Sequence, residues 1–141
     1  MKMTILVIDG QGGKLGKLLC ESITKKLPEI ELIAVGTNTT ATAAMIKGGA
    51  KKAATGENSI RVMSKKADVI VGPVGIVIAD ALMGEITPSA AIAVGQSNAV
   101  KILIPSDRCG NTVVGIKAVG LAEMAEEALN KISDIADDFN G

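Results

Sequence analysis

The sequence predicts an α/β fold: a single three-layer, Rossmann-like domain built on a mostly parallel sheet of five to six strands. Three observations carry this. Short apolar runs alternate with amphipathic stretches along the chain. The runs are apolar on both faces, as strands covered on two sides must be. Each run stops at a cluster of Gly, Pro, Thr or Asn, where a loop can lead into a helix. Parallel strands need long, right-handed crossovers, and the helices supply them.

Residues 3–9 (MTILVID) read as the first strand, ended by Asp9-Gly10. A helix follows over about 14–27, with Gly16, Leu19, Cys20, Ile23 and Leu27 as its inward stripe. Lys17, Glu21 and Lys25 form an outward ladder at i,i+4, and Pro28 ends the helix. Residues 30–35 (IELIAV) read as the second strand, stopped by Gly36. Thr39 is placed to cap a small-residue helix that runs to Lys47 and ends at Gly48-Gly49. A third strand is expected over 52–55 and a short helix over 58–65. Residues 67–71 (ADVIV) read as a buried strand closed by Gly72-Pro73. The segment from Gly75 to Met83 and residues 88–94 read as two helices. Residues 100–104 (VKILI) make a fifth strand, stopped by Pro105, and 112–118 (TVVGIKA) a sixth. The last helix puts Leu121, Ala125, Ala128, Leu129, Ile132 and Ile135 on one face. No linker or repeat divides residues 1–141, so one domain is expected.

Composition narrows the function. Apolar residues make up 48% and charged residues 21%, the balance of a globular domain. Lys+Arg and Asp+Glu both total 15, so no positive field is available for nucleic acid. The chain has no His, Tyr or Trp, and Phe139 is its one aromatic residue. That excludes an imidazole base, a tyrosyl acid, a His-bound metal and an aromatic platform for bases. Cys20 and Cys109 fit neither a CxxC pair nor a zinc site. The first apolar run is too short for a signal peptide, and the others fall short of a membrane span. A soluble, cytoplasmic protein with reduced thiols is expected.

In a parallel sheet the loops after the strands gather on one rim, and ligands bind there. Five loops qualify: 10–16, 36–38, 55–58, 72–75 and 105–111. The first reads Gly10-Gln11-Gly12-Gly13-Lys14-Leu15-Gly16. Gly10 lets the chain turn, Gly12 and Gly13 let backbone N–H groups approach a phosphate, and Gly16 lets the helix pack closely. The helix N-terminus adds free N–H donors and the positive end of a dipole, and Lys14 adds charge. The expected ligand-binding residues are therefore Gly10, Gln11, Gly12, Gly13, Lys14 and Leu15. Gly36, Thr37 and Asn38 join them from the second rim loop, Gly72 from the fourth and Arg108 from the fifth. Catalytic residues stay unassigned.

Three of these loops admit more than one role. Thr37 and Asn38 can bond a ribose or phosphate through neutral groups, or simply cap the next helix. Asp9 can hold a sugar hydroxyl or Mg²⁺, or serve as half of an Asp-Gly turn. Arg108 suits bidentate capture of a carboxylate or phosphate. Cys109 beside it has no His to activate it and reads as a small, semi-buried hydrophobe. Cys20 reads as core.

The stretch from Gly10 to Leu18 resembles the G-x-x-G-[RK]-M-G loop of dihydrodipicolinate reductases. It also resembles the G-x-x-G-x-x-G loop of extended short-chain dehydrogenases. Both loops hold the pyrophosphate of NAD(P), so the resemblance implies NAD or NADP as cofactor. The catalytic chemistry does not transfer. One family uses a Tyr-x-x-x-Lys pair and the other a His-rich stretch, and the chain has neither Tyr nor His. The stretch from Gly12 to Leu18 also looks like the deviant P-loop of partition-type ATPases, K-G-G-x-G-K-[ST]. There the glycine spacing differs by one residue, and Leu18 replaces the Mg²⁺-binding hydroxyl.

Ile8-Asp9-Gly10-Gln11-Gly12-Gly13, Gly36-Thr37-Asn38, Thr55-Gly56-Glu57-Asn58, Gly72-Pro73-Val74-Gly75-Ile76-Val77, Gly84-Glu85-Ile86-Thr87-Pro88 and Arg108-Cys109 together resemble a small bacterial family. That family is catalogued as a domain of unknown function, mostly in anaerobic Firmicutes. The resemblance implies a Rossmann-like, cytoplasmic bacterial protein and brings no activity with it. Two functions are expected to compete. One is a nucleotide-binding protein for NAD(P) or a related adenine nucleotide. The other is a non-catalytic sensor or partner-binding homodimer. The segment from Gly75 to Met83 carries only Asp80 as a charge. A helix apolar all round needs cover on both sides, and a homodimer through it would supply that cover. Residues 88–94 folding back over it would be the alternative within one subunit.

Overall fold

In the computed structural model, which describes residues 2–105, 110–117 and 119–140, five strands form one parallel sheet. They are β1 (Thr4–Asp9), β2 (Glu31–Gly36), β3 (Lys52–Thr55), β4 (Val69–Pro73) and β5 (Val100–Ile104), in the order β3-β2-β1-β4-β5. β1 is central. It pairs with β2 from Thr4↔Glu31 to Asp9↔Gly36, and with β4 from Ile5↔Val69 to Val7↔Val71. Between the strands run α1 (Lys14–Lys26), α2 (Thr39–Lys47), α3 (Glu57–Ser64) and α4 (Pro88–Gln96); α5 (Leu121–Asn140) closes the chain.

Side chains alternate across each strand, so β1 feeds two cores. Ile5 and Val7 pack with Leu19, Cys20 and Ile23 of α1, Met45 of α2 and Leu129 and Ile132 of α5. Leu6 and Ile8 pack on the other face with Ile60 of α3 and Ala90, Ala91 and Val94 of α4. The three layers follow from this alternation. Both faces are apolar because both are covered.

The structure corrects several local expectations. α2 is capped by Asn38, not Thr39: the Asn38 Oδ1 accepts from Ala41 N at 2.8 Å. Residues 112–117 form no strand, and residue 118 lies outside the described residues. The segment from Gly75 to Met83 is not a helix. Val74–Val77 makes a single 3-10 turn, and the chain then winds through successive turns with Asp80, Leu82 and Met83 at φ 66, 56 and 55. Asp80 N donates to Ile86 O at 2.7 Å, and Ile86 N to Ala81 O at 3.1 Å. This winding seats Ile76, Ala81 and Ile86 against α4 in the second core.

The physical premise for a homodimer through the segment from Gly75 to Met83 therefore fails. Ile76 and Ala81 are buried within one subunit, Val77, Ile78 and Leu82 are half-buried, and of the large apolar residues only Met83 is exposed, at 93%. Among the described residues no helix is long and apolar enough to cross a membrane.

Candidate functional site

The chain winds from β1 out to β3, then returns to place β4 on the other side of β1. The loops after β1 and β4 therefore leave the sheet toward opposite faces and open a crevice between them, the usual ligand position of such sheets. A cleft of about 1250 Å³ lies there. Its walls include residues 9–15, residues 78–83 with Glu85, and Pro105, Asn111, Leu121 and Met124. A second cavity of about 550 Å³, between β5 and α5, holds none of the predicted site residues that the structure describes.

The glycine loop is a tight turn, closed by Gly13 N donating to Gly10 O at 2.9 Å. Gly13 stands at φ 72 as the N-cap of α1. A Cβ on it would lie 2.7 Å from Ala41 Cα. Gly13 thus serves the packing of α1 on α2, while its backbone stays on the wall of the cleft. Gly12 is different: a Cβ there meets nothing within 4 Å. The backbone N–H groups of Gly12, Lys14 and Leu15 have no hydrogen-bond partner among the described residues. Free donors at a helix start are an anion-binding arrangement.

Asp9 ends β1 and is 6% exposed. Its Oδ1 accepts from Gly10 N at 2.8 Å and its Oδ2 from Gly16 N at 2.7 Å. Burial pushes its pKa up. The two N–H bonds oppose that rise, and the negative charge of Glu85 adds to it. Asp9 is the acid that shapes the loop. The turn itself runs from Gly10 to Gly13, one residue beyond the Asp-Gly pair expected from the sequence.

Glu85 is the residue that sequence reasoning missed. Its Oε1 accepts from Gln11 N at 2.8 Å, from Asn38 Nδ2 at 2.9 Å and from the Thr37 hydroxyl. Burial alone would raise its pKa, but the bonds from Thr37, Gln11 and Asn38 outweigh that and hold it below the ordinary value. Asn38 Nδ2 also donates to Gln11 O at 3.0 Å. Gly10 makes room for this junction: a Cβ there would lie 2.6 Å from Thr37 Oγ1 and 2.7 Å from Glu85 Oε1. One signal was legible, since Glu85 is the only charged residue between Asp80 and Lys101.

The structure brings Gly10 to Leu15, Thr37 and Asn38 to one end of the cleft. It gives Gly36 and Gly72 other work. A Cβ on Gly36 would strike the Thr42 hydroxyl, and one on Gly72 the carbonyl of Ile8. Both are glycines because the chain packs too closely for a side chain. Arg108 and Cys109 lie outside the described residues. Cys20 is buried in the first core. Burial, then the charges of Asp9 and Glu21, push its thiol up to about 12.

Strand order, switch-point crevice and glycine loop together define a Rossmann-like α/β protein. The chain belongs to the family described as Domain of unknown function (DUF3842), which matches residues 4–137. No curated protein matches it. Among solved structures it is similar to a dodecameric FMN-dependent UbiX-like decarboxylase from Escherichia coli O157:H7. The identity is 20% and the TM-score 0.45, over 94% of this chain and 76% of that one.

The expectation of NAD or NADP is corrected. The solved protein is described as FMN-dependent. The loop itself also departs from a pyrophosphate cradle: the Gln11 N–H is bonded to the Glu85 carboxylate, and the buried Asp9 lies beneath. Thr37 and Asn38, the groups at the tip of β2 that would meet a ribose, are bonded to that same carboxylate.

Proposed function

We propose that the chain binds a phosphate-bearing small molecule of the nucleotide class in the switch-point cleft. The observation that carries this reading is the set of unpartnered N–H groups of Gly12, Lys14 and Leu15 at the edge of that cleft. They would hold the phosphate, and the Lys14 ammonium would add charge. Ile78, Leu82, Leu121 and Met124 line the cleft as an apolar wall for the uncharged part of the ligand. Arg108, which follows β5 in the sequence, is the proposed second cationic contact. With neither His nor Tyr in the chain, the reading is of a binding or sensing protein.

The test is a thermal-shift panel of FMN, AMP, ATP, coenzyme A and inorganic phosphate, followed by amide NMR. A ligand at a hundred times its Kd stabilises by about 2.7 kcal/mol. A binding member of the panel should move the amide signals of Gly12, Lys14 and Leu15. No shift across the panel overturns the reading.

A further inference from the structure

We propose that Glu85 is a built-in latch on the ligand cleft: its carboxylate fills the donor nest of the glycine loop, and an incoming phosphate takes its place. The inference rests on the cleft being a ligand site and adds an internal competitor to it.

The nest is made by Gln11 N, the Thr37 hydroxyl and Asn38 Nδ2, from the loops after β1 and β2. A Rossmann-like protein offers donors from these two loops to its ligand. Here all three converge on one oxygen of a side chain from elsewhere in the fold. Gly10 has no Cβ where the Glu85 oxygen would meet one. The close approach that a glycine loop allows a phosphate is used here by the chain's own carboxylate.

The segment that carries Glu85 is suited to let go. Among the described residues, Glu85 makes every hydrogen bond that ties residues 78–86 to the loops after β1 and β2. Leu82 and Met83 sit at φ 56 and 55, and Gly84 at φ 87. Met83 is exposed. Ala81 and Ile86 are buried on either side of this tip, so exchange moves residues 82–85 and draws the half-buried Leu82 off the edge of the second core, while Ala81 and Ile86 stay seated. The exchange is one anion for another: the phosphate lands beside the free N–H groups of α1, repels Glu85 and takes over its three donors.

The experiment titrates inorganic phosphate into the parent, Glu85→Gln and Glu85→Ala, read by NMR. The Gln11 amide and Asn38 side-chain amide report on the nest; Gly12, Lys14 and Leu15 report on the helix start. Glu85→Ala should bind phosphate at the nest at least tenfold more tightly than the parent, with Glu85→Gln between them. In the parent, saturating phosphate should speed amide exchange at residues 82–85. Shifts confined to Gly12, Lys14 and Leu15 in all three proteins would remove the latch and leave the ligand site standing. Absence of any shift would remove both. If Glu85→Ala does not fold, the comparison is parent against Glu85→Gln, with at least threefold tighter binding expected. If neither variant folds, Glu85 is a fixed strut and the latch is overturned.

Discussion

Asp9 Oδ2 accepts the Gly16 N–H at 2.7 Å, across the loop that separates the end of β1 from the first turn of α1. The bond makes a buried acid the organiser of the glycine loop. In Asp9→Asn one of the two N–H groups now facing Asp9 would face an NH₂ instead. A buried donor left unmet costs about 1–3 kcal/mol, and urea unfolding at neutral pH should show that loss. Burial raises the folded pKa of Asp9, so the fold binds the proton before the unfolded chain does. The parent's advantage over Asp9→Asn should therefore widen as pH falls through that window. An advantage that shrinks there would refute the assignment.

Glu85 has the opposite sign. Its folded pKa is lowered, so its stabilisation is complete above the unfolded value and disappears as pH falls through the folded one. The Tm of the parent should exceed that of Glu85→Gln at neutral pH, and the two should converge in acid, below the ordinary glutamate range. A gap independent of pH would show that the carboxylate's charge plays no part.

Two neighbouring glycines should separate fold from binding. Gly13→Ala meets Ala41 Cα at 2.7 Å from φ 72, and a non-glycine residue held in that region costs about 1–3 kcal/mol before any clash. Gly12→Ala points into open space and should leave stability unchanged while weakening phosphate binding. Thermal unfolding and phosphate titration of the pair give the answer. The reverse pattern would mean the ligand lies on the other side of the loop.

Asn38 combines a helix cap with two bonds to other loops. Asn38→Ala should cost about 1–2 kcal/mol from the cap alone. Asn38→Asp keeps the capping oxygen but sets a second carboxylate against Glu85, so it should recover little of the loss at neutral pH and more in acid. Chemical denaturation at two pH values would show this.

The Cys20 thiol, buried and pushed up to about 12, should be inert. In a Cys109→Ser background a maleimide should label nothing at pH 8 until the protein unfolds. Rapid native labelling would show that the first core opens.

The strands were legible because burial on two faces writes an unbroken apolar run, as in β1 and β4. The winding of residues 78–86 was not. Apolar content says that a segment is covered, without fixing its backbone, and here left-handed residues at Asp80, Leu82 and Met83 turn what reads as a helix into a coil against α4. The glycine loop lies between β1 and α1 as expected, but its spacing could not distinguish a glycine that opens onto the cleft from one that admits another helix. Gly12 and Gly13 differ in this only because α2 happens to lie behind one of them. Glu85 was hidden for a similar reason: its partners Gln11, Thr37 and Asn38 are far away along the chain.

The strand order also sets a schedule for folding. β1 meets β2 across a single helical unit, but its other edge waits for β4, which is made only after β2, α2, β3 and α3. Non-local pairings of this kind form slowly. During synthesis the first half of the chain carries Leu6 and Ile8 without the cover of α4, and one edge of its central strand is bare. Such an edge is a template for another chain. A nascent chain stalled before β4 is therefore the most aggregation-prone form of this protein, and β4 is the strand whose arrival makes the product safe.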